Sequence, residues 1–393
     1  MIDRARATPD PARRERDPDA ARDRPRIALA HDWLCGLRGG EQVLERIASV
    51  VRTEFDSRAL YTMFDDGGSI GPATDDARHV ASWLNALPGA LRRWLLPLYP
   101  SAVAQLSSHL SRDHAKDPID LLISSSSAAI KAMRAPDGVP HLCYCHAPAR
   151  YIWSRAAEYS RGLSGLGLSV LAPAYKRWDR TTAPRVTRFI ANSTYIRSEI
   201  ARCYQRDADV VHPPVRTDRF TPDPSVPRED NLLVVSALEP YKRVDLAIET
   251  AKAKSLPLTI VGGGSDEARL RAMSGPTVTF AGRVDDETLL RHYRSARALL
   301  FPQIEDFGIV AVEAQACGTP VVAFRAGGAL DIVVDGVTGV LFDHPTPESL
   351  ADAIERVEQN PRACRQNAER FSERRFDERI RAIILEMLDA SSA

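Results

Sequence analysis

The chain has 393 residues, with 52 Lys+Arg against 52 Asp+Glu and a formal net charge of +0. That length exceeds one hydrophobic core and implies two domains of roughly 150 to 200 residues, while the balanced charge gives no global field to draw the chain to nucleic acid or an anionic surface. The six cysteines (Cys35, Cys143, Cys145, Cys203, Cys317, Cys364) form no Cys-x-x-Cys pair, which argues against a zinc or disulfide framework and for reduced thiols in a cytosolic protein.

Residues 1–25 mix Arg, Asp and Pro without an apolar stretch, so they cannot bury enough surface to offset the entropy of ordering and are expected as a disordered tail. They lack the apolar core of a secretory signal, and no segment reaches the roughly 20 apolar residues that span a bilayer. The expected location is cytoplasmic, with peripheral attachment at the inner face of the membrane left open.

From 26 to 220 short apolar runs alternate with helical periodicity, the pattern of a parallel sheet covered by helices. Strands are predicted at 26–33, 57–63, 121–126, 141–146 and 188–193. The stretch "RGGEQVLERIASVV" (38–51) turns at Gly39 and Gly40 into a helix. Cys143 and Cys145 alternate with Leu142 and Tyr144, as small residues on one face of a buried strand rather than as metal ligands. Two basic-aromatic segments, 84–103 and 163–180, suit either a membrane interface and lipid-linked acceptor or packing between helices. Prolines 88, 97 and 100 argue against a long helix in the first.

"TPDPSVPRED" (221–230) is a Pro- and charge-rich linker, and a second domain is expected over 231–375. Strands at 231–238, 258–262, 278–282, 298–302 and 320–324 alternate there with helices near 242–254, 266–273, 286–296 and 308–317. This is the pattern of a compact Rossmann-like domain. A helix over 376–393 ends the chain and is expected to pack back on the N-terminal domain.

Chemistry concentrates at strand ends. "EDFGIVAVEAQACGTP" (305–320) puts Glu305 in the loop above a strand and Glu313 on the helix that follows, with Gly308 where that helix begins. A helix N-terminus presents free N–H groups to an anion, and carboxylates at two depths suit a polyhydroxylated ligand. The bland alternative is that Glu305 caps the helix and Glu313 is solvated. "ALEPYKRVDLAI" (237–248) sets Lys242 and Arg243 together at another helix start, two cations able to hold a diphosphate. "IVGGGSDEARL" (260–270) does not match the spaced dinucleotide fingerprint, which argues against a dehydrogenase. Asp65-Asp66 and Asp285-Asp286 are adjacent pairs in turn or helix-start settings, where Asp caps rather than binds metal.

With these residues in view, the chain resembles the retaining glycosyltransferases of family 4, of GT-B architecture: α/β, two Rossmann-like domains facing across a cleft. The resemblance runs from about residue 26 to the end and is most specific over "EDFGIVAVEAQACGTPVVAFRAGG" (305–328), with its Glu-x7-Glu pattern. It implies that Glu305 touches the donor sugar, Glu313 the nucleotide ribose, and the backbone of Phe307, Gly308 and Ile309 the sugar and phosphates. Lys242 would bind the donor diphosphate. The family's arginine falls at Ala237 and is absent, with Arg243 as its stand-in. "CYCHAPARYIW" (143–153) resembles the segment whose histidine, here His146, reaches sugar and acceptor, and Gly39 and Gly40 match the glycine-rich first loop.

"HDWL", "PYKRVDLAI" and "GGGSDEARLR" are similar to the bacterial mannosyltransferase-like subgroup that builds O-antigen, capsule or exopolysaccharide. The resemblance thus implies a nucleotide-diphosphate sugar as donor, GDP-mannose first, and a glycan or polyprenyl-linked acceptor. It implies no cofactor and no metal requirement, and retention by same-face attack with the leaving phosphate taking the acceptor's proton. Alternatives are a non-catalytic nucleotide-sugar-binding GT-B protein and a GT-B enzyme of other chemistry, such as an epimerase.

Overall fold

A computed structural model of the chain describes residues 24–88, 92, 95–150, 152–153 and 163–392, with the backbone alone for 163–170 and 392. The expected tail thus lies outside the described residues apart from Arg24 and Pro25, as do Arg93 and Trp94 of the first basic-aromatic segment and the side chains that open the second.

The first sheet contains β1 (Arg26–Leu34), β2 (Asp56–Asp65), β3 (Arg78–Ala81), β4 (Leu121–Ser126), β5 (His141–Cys145), β6 (Arg188–Ala191) and β7 (Asp209–Val210), in the order β3-β2-β1-β4-β5-β6-β7. The second contains β8 (Leu232–Val235), β9 (Leu258–Val261), β10 (Val278–Gly282), β11 (Ala298–Phe301), β12 (Val321–Phe324) and β13 (Gly339–Phe342), in the order β10-β9-β8-β11-β12-β13. Every strand pairing is parallel. Strand order reverses between β1 and β4 in one sheet and between β8 and β11 in the other. Those reversals open crevices at the carboxyl ends of the strands, where ligands of open α/β sheets bind.

The helices follow from their apolar spacing. In α1 (Gly39–Glu54), Val43, Leu44, Ile47, Val50 and Val51 all lie buried on one stripe against Ile27, Leu29 and Leu60. Each such aliphatic burial contributes about 1.5–3 kcal/mol. The first lobe adds α2 (Tyr99–Lys116), α3 (Leu163–Thr182) and α4 (Thr194–Tyr204). The second carries α5 (Val244–Ala253), α6 (Glu267–Met273), α7 (Asp286–Ser295), α8 (Ile309–Ala316), α9 (Ala329–Ile332), α10 (Pro347–Arg356) and α11 (Pro361–Ala368).

α12 (Glu373–Ser392) returns to the first lobe. Phe376, Ile380, Ile383, Ile384 and Met387 share the core of α1 and β1, and Asp377 accepts from Nε and Nη2 of Arg46 at 2.7 and 2.5 Å. It starts a few residues before the expected 376. As expected from its prolines, the first basic-aromatic segment holds no long helix before Tyr99 among its described residues: Pro97 lies in the 3-10 turn Leu96–Leu98, and Pro100 in the first turn of α2, where a missing N–H costs nothing. Cys143 and Cys145 are buried in one apolar cluster, and all six cysteines are free.

Candidate functional site

The crevice of the second sheet is built from two loops. After β8 a single 3-10 turn, Pro240–Lys242, carries Lys242 to the strand end. After β11 the chain runs through Glu305 to the start of α8. Lys242 Nζ donates to Glu305 Oε1, an ion pair largely sheltered from solvent across the strand-order reversal. Glu305 therefore does not cap α8. The N-cap is Gly308, and no side chain fills the cap position, so the first N–H groups of α8 are not taken by a capping side chain.

Gly308 has φ +115°, and a Cβ there would sit 2.6 Å from the Phe301 ring. The glycine is required by its own backbone and by Phe301 beneath it. Gly327 and Gly328 likewise serve loop packing. The Gly328 N–H donates to the Glu305 carbonyl at 2.9 Å, and a Cβ on Gly328 would strike the Phe307 backbone at 2.3 Å. The Phe307 backbone abuts Gly328, and its buried ring packs against His212 and Phe371.

Glu313 lies deeper, half-buried on α8, and Tyr293 Oη donates to its Oε2 at 2.8 Å. Burial pushes its carboxyl up to about 6, against the opposing effects of the Tyr293 hydrogen bond and the Arg216 charge. Glu305 and Glu313 thus have separate partners. Arg243 does not accompany Lys242 onto Glu305; it takes a left-handed backbone at the start of α5, and its Nε lies 3.4 Å from Asp245.

In the first sheet, β1 and β4 bring His31 and Ser125 into register, and Ser125 Oγ lies 2.8 Å from His146 Nε2. The His31 and His146 rings stand edge to face, 6.4 Å apart. Burial, reinforced by His31 and Arg150, lowers His146 to about 3, and burial lowers His31 as well, so both imidazoles are neutral at pH 7. A Cβ on Gly40 would touch both rings at 3.8–3.9 Å, so the glycine loop lies directly over them. Asp32, next to His31, accepts the N–H groups of Ser127, Ala128, Ala129 and Ile130 at 2.6–2.8 Å and fixes the loop after β4.

The lobes meet at these loops. Gly39, first residue of α1, has its Cβ position 3.6 Å from Ile309 Cδ1, first residue of α8, and neither helix has a side-chain cap. Two helix N-termini without side-chain caps, each the positive end of a dipole, therefore lie close together where the lobes meet. Arg150 reaches Asp306, Ser193 Oγ donates to the Asp306 carbonyl at 2.5 Å, and Asp331 accepts from the Thr194 N–H at 2.7 Å and approaches His212 at 3.1 Å. Sequence reasoning did not select Arg150, Asp306, His31, Asp32 or Asp331. Arg150 and Asp306 lie inside the two quoted motifs, but only the fold makes them neighbours.

The acidic pairs serve turns. Asp65 and Asp66 accept from the N–H groups of Gly67 and Gly68, and Asp285 caps α7 through the Thr288 N–H at 2.8 Å. The family described as "Glycosyltransferase Family 4" matches residues 64–219 and that described as "Glycosyl transferases group 1" matches 217–375, so the two run without a gap from the end of β2 through the whole second sheet. The chain belongs to glycosyltransferase family 4.

Relatives of this family 4 chain include a D-inositol 3-phosphate glycosyltransferase of Frankia alni, 34% identical over 44% of this chain and 51% of that protein. Another is a GDP-mannose-dependent alpha-(1-6)-phosphatidylinositol monomannoside mannosyltransferase of Mycolicibacterium smegmatis, 34% identical over 43% and 52%. The chain thus spans about half the length of the curated relatives it matches. Among solved structures, HepE of Anabaena in complex with UDP superposes with TM-score 0.70 at 18% identity, covering 92% of this chain and 100% of that one. A sucrose-phosphate synthase of Thermosynechococcus elongatus does so with TM-score 0.67 at 18% identity, over 93% and 100%. The family 4 chain therefore has the GT-B fold.

Proposed function

We propose that this chain is a retaining hexosyltransferase that takes a sugar from a nucleotide-diphosphate donor and passes it to a glycan or polyprenyl-linked acceptor in cell-surface polysaccharide assembly. The observation that carries this reading is the close approach of two uncapped helix N-termini, at Gly39 and Ile309, with Glu305, paired to Lys242, on the loop that leads into the second. Such a pair of helix ends is suited to a diphosphate, which would draw Lys242 off Glu305 and free that carboxylate for sugar hydroxyls.

Transfer breaks the bond from the anomeric carbon to the phosphate oxygen, and charge grows on the leaving diphosphate. Lys242 and the two helix ends would stabilise it by preorganised electrostatics. The acceptor oxygen then bonds to the anomeric carbon on the same face, and its proton passes to the leaving phosphate. Neutral His146, beneath Gly40, would hydrogen-bond sugar or acceptor without carrying charge. Glu313 would take the ribose hydroxyls, and no residue is assigned to a metal.

GDP-mannose is the first donor to test, because one relative is named for it; the UDP complex of HepE makes UDP-sugars the second set. A lipid-linked acceptor is in keeping with the exposed Trp83, Leu98 and Leu171 at or near the basic-aromatic segments. Sedimentation with anionic vesicles at low salt tests that surface, and failure to bind removes it. No helix of the described residues is long and apolar enough to cross a membrane.

A second reading, donor binding without transfer, draws on Ala237, where the family carries arginine. Thermal-shift screening against GDP-, UDP- and dTDP-sugars tests donor binding, since a ligand of the native state raises Tm. Release of nucleoside diphosphate from the donor that stabilises separates the two readings.

A further inference from the structure

The donor contacts assigned above to Glu305 and Lys242 lie on the second lobe, yet the loop that carries Glu305 is held from the first. The guanidinium of Arg150, in the loop after β5, binds the carboxylate of Asp306, the residue next to Glu305. The Asp306 carbonyl also accepts from Ser193 Oγ at 2.5 Å, beyond the end of β6. Asp306 is 8% exposed and is therefore gripped by side chain and main chain at once, both times from the opposite lobe.

Two features separate this bridge from an incidental surface pair. An exposed pair adds little because water screens it and two long side chains lose freedom, whereas Asp306 is buried and removal of its partner would strand a carboxylate away from water. The Arg150 charge is also felt at His146, which it helps keep neutral. One guanidinium thus stands between the first-lobe imidazole and the second-lobe acidic loop.

We infer that Arg150 is a positioning residue: by binding Asp306 across the cleft it sets the Glu305 loop against the donor sugar and ties closure of the lobes to assembly of that site. This rests on the reading of Glu305 as a donor-sugar contact. Adjacent Cα atoms are about 3.8 Å apart, so a shift at Asp306 is passed to Glu305, and a misplacement of about 1 Å can cost about 10²-fold in rate.

The test compares the full chain with Arg150→Ala, Arg150→Lys, Asp306→Asn and the double variant Arg150→Ala/Asp306→Asn. Three quantities are read: backbone hydrogen exchange over 302–312, kcat and KM for the donor, and Kd for free GDP and UDP. In Arg150→Ala, exchange over 302–312 is expected to rise about tenfold while the strands of the first sheet stay protected, and kcat is expected to fall about 10- to 100-fold. Kd for the nucleoside diphosphate is expected to stay within about twofold, because its phosphates are assigned to Lys242 and the helix ends. Lys at 150 recovers part of the loss, and the double variant is no worse than the single, since both remove one bridge.

Unchanged exchange over 302–312 in Arg150→Ala overturns the inference. So does a loss of GDP or UDP affinity as large as that of Lys242→Ala, which makes Arg150 a phosphate ligand instead. If the wild-type chain turns over no nucleotide sugar, the proposed function fails, while the exchange measurement still decides whether Arg150 sets the loop.

Discussion

Lys242, on the loop after β8, and Glu305, on the loop after β11, form one ion pair across the reversal of strand order in the second sheet. Neither loop is placed by the other. Each is carried by its own strand, and each cation or carboxylate would be stranded in a half-buried site if the other were lost. Lys242→Ala is expected to lower kcat by about 10²-fold or more, the scale of one lost oxyanion-type contact. Steady-state kinetics with the best donor checks this, and a wild-type rate rejects Lys242 as the diphosphate cation.

Glu305→Gln keeps the shape and removes the charge. Because Gly308, not Glu305, occupies the N-cap of α8, the helix keeps its start, and Tm should fall only by the cost of leaving the largely buried Lys242 ammonium unpaired. Activity should fall about 10- to 100-fold, the worth of a charged hydrogen bond of about 1.5–3 kcal/mol. Thermal unfolding beside a transfer assay separates the roles; a large Tm drop with retained specific activity would restore the capping role.

Glu313 has a cost and a use that oppose each other. Its carboxyl is raised from 4.5 to about 6 in the folded protein, so the native state holds the proton more tightly than the unfolded chain. Stability therefore declines as pH rises between those values and levels off above about 6, a penalty of up to about 2 kcal/mol. Glu313→Gln should raise the Tm of the unliganded protein at pH 8, with less gain at pH 5, and weaken nucleotide binding at both. In the wild type, nucleotide affinity should fall as pH drops through about 6, when the carboxylate loses its capacity to accept two hydroxyl donors. Tm and Kd across pH 5 to 8 check both arms.

His146 is lowered to about 3, so the folded state favours the neutral ring. The unfolded chain takes up a proton near pH 6.5, and stability is lost as pH falls below that value toward 3. His146→Asn should flatten this part of the stability profile. Because the ring is already neutral, kcat should show no inflection near pH 6.5 from His146; an inflection there that vanishes in His146→Asn contradicts the assignment.

Much of the fold is legible because a doubly wound sheet is written as alternating buried strands and amphipathic helices. The strand 121–126 and the strand 278–282 have the predicted bounds. β3 and β13 were not predicted, although β6, β8, β9, β11 and β12 are equally short; β3, Arg-His-Val-Ala, is an edge strand that carries no apolar run to mark it. α4 was legible but not predicted: Ile196, Ile200, Cys203 and Tyr204 fall at helical spacing on one buried stripe, and Ser193 caps it. At the site, the Lys242–Glu305 pairing joins two motifs that the sequence singled out separately. The reasons for Gly308 and Gly328 were not readable, since Phe301 and Phe307 meet them only after the loops fold. The Arg150–Asp306 bridge spans the lobes, and no local pattern encodes it.

The most direct measurement is a calorimetric titration of GDP and UDP into the wild-type chain and into Lys242→Ala. The account predicts one site per chain for one of the two nucleotides, with micromolar to millimolar affinity, weakened at least about tenfold by the substitution. No binding of either nucleotide, or equal binding by the two proteins, contradicts it.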